Sequence, residues 1–305
     1  MDIRTSPLVQ MADEAERPTR WWAAWLVGIV IILTGLVVGG AVGAAALGNP
    51  TDRDPLYQFT ELFMFGTVIV LLALWLRFKE RRPFTSVGLR GTNPVGKLAL
   101  GLVIGAGMMA IGVAVPWALG QYGLGVSEHG RLGADAVVWL VPLLVVFILQ
   151  GSTEEIMSRG YMLQVAGLQI PAAAAIAGSS IIFSALHLAF APIPFINIVL
   201  YAVFVCFVAL GEGGLWLVCG IHAGWNYFQG NIFGLPVSGH PEATSLWDFG
   251  PVKGANDLVT GGNFGVEASL VGTGVLAVAL VLAIIYYRRQ QTRRAAAAPE
   301  GASVA

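Results

Sequence analysis

Residues 135–165 read DAVVWLVPLLVVFILQGSTEEIMSRGYMLQV, a long apolar run with Glu154, Glu155 and Arg159 inside it. An ionisable group at membrane depth costs about 3 kcal/mol on insertion scales, so such groups usually mark a working site. On an α-helix, Glu155 and Arg159 stand four positions apart and within ion-pairing reach, whereas Glu154 points about 100° away. The pattern predicts a membrane helix in which Arg159 holds Glu155 and Glu154 has no fixed cation. A desolvated carboxylate of that kind suits general acid–base chemistry.

The composition of the whole chain indicates an integral membrane protein. The 305 residues are 56% hydrophobic and 11% charged, and their mean hydropathy is +0.73. A soluble domain is typically about a quarter charged. The net charge of -1 gives no reason to expect nucleic acid as a partner. Cys206 and Cys219 lie in apolar runs and are expected to be buried thiols.

Eight apolar segments predict an all-α polytopic bundle of about eight transmembrane helices. A bilayer core of about 30 Å requires about 20 apolar residues per helix. The segments are residues 21–47, 58–77, 97–119, 135–165, 171–190, 194–211, 214–232 and 268–287. The fourth would measure about 46 Å, so we expect it to tilt, to bend near Pro142 or to begin outside the bilayer.

The first segment carries two further expectations. It is longer than the apolar core of a signal peptide, about 7–15 residues, so we expect a retained anchor. Gly35, Gly39 and Gly43 form a ladder of small residues that permits close helix approach. We expect this ladder to pack within the chain rather than between chains.

Basic residues are distributed unevenly among the connections, which predicts the orientation. Two clusters stand out: Arg77, Lys79, Arg81, Arg82, Arg90 and Lys97 after the second span, and Arg288, Arg289, Arg293 and Arg294 after the last. With eight spans, this bias predicts cytoplasmic N- and C-termini. The short loops fit a protein of a bacterial inner membrane.

The spans and the charge bias together predict the organisation of the chain. We expect a cytoplasmic tail at 1–20, transmembrane helices with a basic cytoplasmic loop at 21–132, and a catalytic core at 133–232. An extracytoplasmic cap loop at 233–267, a last helix at 268–287 and a cytoplasmic tail at 288–305 complete the chain.

Polar side chains of other apolar segments are expected to meet Glu154. Glu154 precedes the turn near Gly167, and His187 follows it, each by about 20 to 24 Å of helix, so they should lie at similar depth. His222 falls near the middle of span seven, and Asn226 follows one turn later on the same face. His129 and His240 lie in predicted loops, and we assign them no role.

Three motifs in this order resemble the CPBP family of intramembrane proteases. They are Glu154-Glu155-x-x-x-Arg159, Phe183-x-x-x-His187 and His222-x-x-x-Asn226. The family includes type II CAAX prenyl endopeptidases and bacterial members linked to bacteriocin processing or immunity. The resemblance covers about residues 150–230.

The resemblance implies a role for each matching residue. Glu154 would be the general base that activates water together with His187. His222 and Asn226 would stabilise the oxyanion of the tetrahedral intermediate, and Glu155 with Arg159 would give structural support. The implied substrate is a membrane-associated protein or peptide; whether it is prenylated is not readable from the sequence.

A metal-dependent alternative stays open at this point. Glu154, His187 and His222 would supply the three ligands that a catalytic zinc ion needs. The sequence contains no His-Glu-x-x-His segment, and Asn226 is better explained as an oxyanion donor. We therefore favour hydrolysis without a required cofactor.

Two other functions also bury Glu, Arg and His in membranes. Proton-coupled transporters do so, usually with inverted repeats, and no internal duplication is evident here. A binding or immunity protein could keep the fold without turnover, but all four catalytic positions are filled. The hydrolase is the prediction that the residues favour.

Overall fold

Eight helices account for most of the molecule, one at each predicted span. The computed structural model describes residues 2–52, 54–125 and 131–297. In chain order the helices are α1 (Trp21–Ala46), α2 (Pro55–Glu80), α3 (Pro94–Ala118), α4 (Val137–Gln169), α5 (Ala172–Leu186), α6 (Pro192–Glu212), α7 (Trp216–Tyr227) and α8 (Leu270–Ala297). A π-helical turn, Phe228–Ile232, continues α7. The all-α polytopic fold is as predicted.

Six of these helices are long and apolar enough to cross a membrane by themselves: α1, α2, α3, α4, α6 and α8. Helix α5 is shorter and ends at Leu186, before the predicted boundary at 190. At this end, Nδ1 of His187 bonds to the carbonyl oxygen of Phe183 at 2.8 Å. Leu188 follows in the left-handed region with φ 55°. The prediction of eight full-length spans was therefore wrong for α5 and α7.

Helix α4 is the longest element of the site, with 33 residues. Pro142 lies inside it without ending it, and a π-helical turn occupies Ser158–Leu163. At 1.5 Å per residue the helix measures about 50 Å, longer than a bilayer core. Single π turns occur frequently at functional sites, and this one begins three residues after Glu155.

Both basic clusters lie at one end of the bundle. There Lys97 Nζ is 2.6 Å from Glu212 Oε2, and Arg294 Nη2 donates to the Gly211 carbonyl at 2.6 Å. The N-terminal segment lies at the same end, with Arg90 Nη2 2.9 Å from Glu14 Oε2. Ile3, Leu8 and Val9 are buried there, so residues 2–20 pack against the bundle.

Glycines bring neighbouring helices into backbone contact. A Cβ atom at Gly39 would lie 2.5 Å from the carbonyl oxygen of Phe63, so the ladder of α1 packs against α2 within the chain. Between α7 and α3, a Cβ atom at Gly224 would lie 2.4 Å from the carbonyl oxygen of Leu102. Both interfaces exclude any larger residue.

The opposite end of the bundle carries the few strands. β1 (Tyr122–Leu124) pairs antiparallel with β4 (Phe249–Pro251), with Gly123 opposite Gly250. β2 (Arg131–Leu132) pairs parallel with β3 (Thr244–Ser245). These short ladders attach the segment between α7 and α8 to the connection that follows α3. We call residues 233–269 the cap segment. Helix α8 then runs to Ala297, beyond the predicted end of the last span.

Candidate active site

The two adjacent glutamates of α4 face different partners. Glu155 is fully buried, and its Oε1 is 3.1 Å from Arg159 Nη1, the contact that the spacing predicts. The same oxygen is 2.9 Å from His222 Nδ1 on α7, a contact that the sequence did not predict. Glu155 therefore links a buried cation to one of the two imidazoles.

Glu154 faces both imidazoles. Its Oε2 is 3.7 Å from His187 Nε2 and 3.7 Å from His222 Nε2. These distances exceed those of direct hydrogen bonds. Among the described residues Oε2 has no hydrogen-bond partner. Glu154, His187 and His222 thus converge, as the depth argument predicts.

The hydrogen bond at Nδ1 of each imidazole determines whether its Nε2 atom, which faces Glu154, donates or accepts a hydrogen bond. A carbonyl or carboxylate oxygen only accepts, so Nδ1 of His187 donates to Phe183 and Nδ1 of His222 donates to Glu155. In a neutral ring Nε2 is then an acceptor. Glu154 Oε2 and the Nε2 atom of a neutral His187 are then two acceptors 3.7 Å apart. A water molecule, which donates two hydrogen bonds, suits a position that bridges them.

Asn226 completes the predicted set and has a partner that the sequence analysis missed. Its Nδ2 donates to Gln150 Oε1 at 3.0 Å. Gln150 stands one helical turn before Glu154, on the same face of α4. The spacing of four residues between Gln150 and Glu154 was the sequence signal that could have indicated this contact. Asn226 itself is only 5% exposed.

Aromatic rings form the wall behind the polar groups. The Phe183 ring lies under the Arg159 guanidinium, 4.4 Å from ring centre to Cζ, and 4.7 Å from the His187 ring. The Tyr201 ring packs edge-on against His222 at 5.3 Å. These contacts restrict rotation of both imidazoles.

Two cavities border these residues. The larger has a volume of about 370 Å³ and is lined by Glu154, His187, Asn226 and Gln150. Towards α1 and α2 its wall combines the apolar side chains of Ile32, Leu36, Met64, Phe65 and Val68 with the polar side chains of Gln58, Thr60 and Glu61. The smaller, of about 30 Å³, lies on the side of His222 and is lined also by Tyr201 and Glu267.

The cap segment supplies part of both walls. Ser238 and Glu242 line the larger cavity, and the Ser238 backbone N–H donates to Glu267 Oε2 at 2.7 Å. Burial raises the pKa of Glu267 and raises that of Glu242 to about 8. His240 is exposed at the edge of the larger cavity. His129 lies outside the described residues.

The remaining sequence-based expectations concern cysteines and metal ligands. Cys206 and Cys219 are buried free thiols, as predicted. Among the described residues, no three His, Cys, Asp or Glu side chains form a group that could hold a metal ion.

Comparison with known proteins yields one match. Residues 136–228 match the family model described as type II CAAX prenyl endopeptidase Rce1-like. No curated protein and no solved structure matches the chain. The matched range contains Glu154, His187, His222 and Asn226, whereas the whole cap segment lies beyond it. Over residues 136–228 the chain is therefore similar to the Rce1-like type II CAAX prenyl endopeptidases.

Proposed function

We propose that this protein is an intramembrane endopeptidase that hydrolyses a peptide bond of a membrane-associated substrate with a glutamate-activated water. The observation that supports this proposal most directly is the position of the Glu154 carboxylate, 3.7 Å from the Nε2 atoms of both His187 and His222 within a helical bundle. This arrangement supports a general base with a bound water, and the family match supports peptide hydrolysis.

The proposed first step is attack of water on the peptide carbonyl. Glu154, assisted by His187, takes a proton from the water as its oxygen bonds to the carbonyl carbon. Negative charge develops on the carbonyl oxygen. Asn226 Nδ2 donates to that oxyanion, and such donors typically contribute about 10²- to 10³-fold in rate.

His222 can assist the oxyanion only through Nε2, because its Nδ1 donates to Glu155. Donation through Nε2 requires the imidazolium form. The Glu155 carboxylate, fixed by Arg159 at 3.1 Å, would stabilise that charge. The tetrahedral intermediate then collapses as the C–N bond breaks. Glu154 passes its proton to the leaving nitrogen, which gives a carboxylic acid and an amine and restores the Glu154 carboxylate.

The proposed site and mechanism need no metal ion. The test is cleavage by purified enzyme after exhaustive treatment with a strong chelator. We expect activity to persist. Loss of activity that added zinc restores would contradict this part of the proposal.

The substrate and its location form a second part of the proposal. The apolar side chains that α1 and α2 contribute to the larger cavity suit a membrane-embedded or lipid-bearing chain. We propose a bacterial inner membrane location, with the basic end and both termini cytoplasmic. Residues 133–232 would then be the catalytic core and 233–267 an extracytoplasmic cap.

Reconstituted protein separates this function from its alternatives. Wild type, Glu154→Ala and His222→Ala are compared on a panel of membrane peptides, with mass spectrometry of the products. We expect wild type to cleave and both variants to lose cleavage. Proton-driven uptake without cleavage would instead indicate a transporter. Equal binding of a partner by all three proteins, without cleavage, would indicate a binding or immunity protein.

A further inference from the structure

The Asn226 carboxamide has two faces of opposite character, and only one suits an oxyanion. Its nitrogen carries two donor hydrogens, and its oxygen only accepts. A rotation of 180° about the last side-chain bond exchanges the two. If oxygen faced the developing negative charge, the interaction would be repulsive rather than stabilising.

Gln150 is the hydrogen-bond partner of this carboxamide. Its Oε1 accepts one hydrogen of Asn226 Nδ2 at 3.0 Å. Among the described residues, it is the one hydrogen bond that the Asn226 side chain makes. The second Nδ2 hydrogen then remains available, and both residues line the larger cavity beside Glu154.

Gln150 belongs to the same helix as Glu154. It stands one turn before Glu154 on α4, so a single rigid element carries both the proposed base and the partner of the proposed oxyanion donor. Gly151, the next residue, permits α4 to approach α7 closely. A Cβ atom there would lie 2.8 Å from the Ala223 nitrogen.

We propose that Gln150 is a positioning residue for peptide hydrolysis: it holds the Asn226 amide with a donor, not an acceptor, towards the reacting carbonyl. This inference rests on the proposed function. Gln150 acts through Asn226 and does not itself contact the oxyanion. Its removal should therefore impair the chemical step and leave substrate binding largely intact.

The test is a double-mutant cycle in proteoliposomes. Gln150→Met keeps the side-chain length and removes the acceptor, and Gln150→Leu serves as a second variant. We expect kcat to fall about tenfold to hundredfold with KM changed less than about threefold, below the full cost of losing an oxyanion donor. In the Asn226→Ala background, Gln150→Met should cost less than about twofold more, because coupled residues are non-additive.

A matched control is available in the same cavity. Gln58 also lines it and bonds to an asparagine, Asn231, with Nε2 to Oδ1 at 3.3 Å. Any loss caused by Gln58→Met should be the same with and without Asn226, as for independent sites. If Gln150→Met behaves in this additive way too, or leaves kcat unchanged, the positioning role is wrong.

A second readout does not depend on activity. In protein labelled with ¹⁵N at asparagine, the Asn226 side-chain amide signal, assigned by its loss in Asn226→Ala, should shift in Gln150→Met. If the signal shifts in Gln150→Met but the wild-type protein cleaves no peptide, the contact between Gln150 and Asn226 stands and the proposed function is refuted. Absence of a shift in a protein that does cleave would refute the role of Gln150 alone.

Discussion

At the scale of single residues, Glu155 is more than the structural partner of Arg159, because it also holds His222 at 2.9 Å. The i, i+4 spacing was sufficient to predict the ion pair. The His222 contact depends on how α7 rotates against α4, which no local pattern encodes. We expect Glu155→Ala to lower the free energy of unfolding by about 3 to 5 kcal/mol, because it leaves a buried guanidinium unpaired. The double variant Glu155→Leu with Arg159→Met should regain stability but not cleavage, since Nδ1 of His222 still lacks its carboxylate partner. Thermal unfolding and a cleavage assay check this, and recovery of both together would refute the role of Glu155.

At the scale of helices, the distance between α4 and α7 sets the site. Apolar run lengths predicted the positions of all eight helices. They did not predict the early end of α5, where the His187 side chain bonds to a backbone carbonyl, or the π turns. We expect Gly151→Ala to reduce kcat at least tenfold, because its Cβ would lie 3.1 Å from the Cβ of His222 and 2.8 Å from the Ala223 nitrogen. Misplacement by 1 Å can cost about a hundredfold. The control is Gly66→Ala on α2, where nothing lies within 4 Å. Equal activity of the two variants would show that helix spacing does not limit the reaction.

At the scale of the whole molecule, the cap segment couples stability to pH. Composition predicted the membrane bundle and the gathering of basic residues, but the cap depends on strand pairs distant in sequence and on buried acids. Burial raises the pKa of Glu242 to about 8, whereas an unfolded Glu titrates near about 4.3. Between these values the folded state keeps a proton that the unfolded state has lost, so the free energy of unfolding falls as pH rises. We expect the thermal midpoint in detergent to decline from pH 5 to 8.5, and Glu242→Gln to flatten that decline. An unchanged slope in the variant would exclude Glu242 as the source.

The most direct measurement is single-turnover cleavage of a membrane peptide by Glu154→Gln in proteoliposomes. The variant keeps the shape of the side chain and removes the base. Glu212→Gln, at the end of the bundle that carries the basic clusters, is the matched control. We expect Glu154→Gln to lose about a thousandfold or more in rate, within the range for general bases, while the control stays within about threefold of wild type. Cleavage by Glu154→Gln at a rate near that of wild type would contradict a water activated by Glu154.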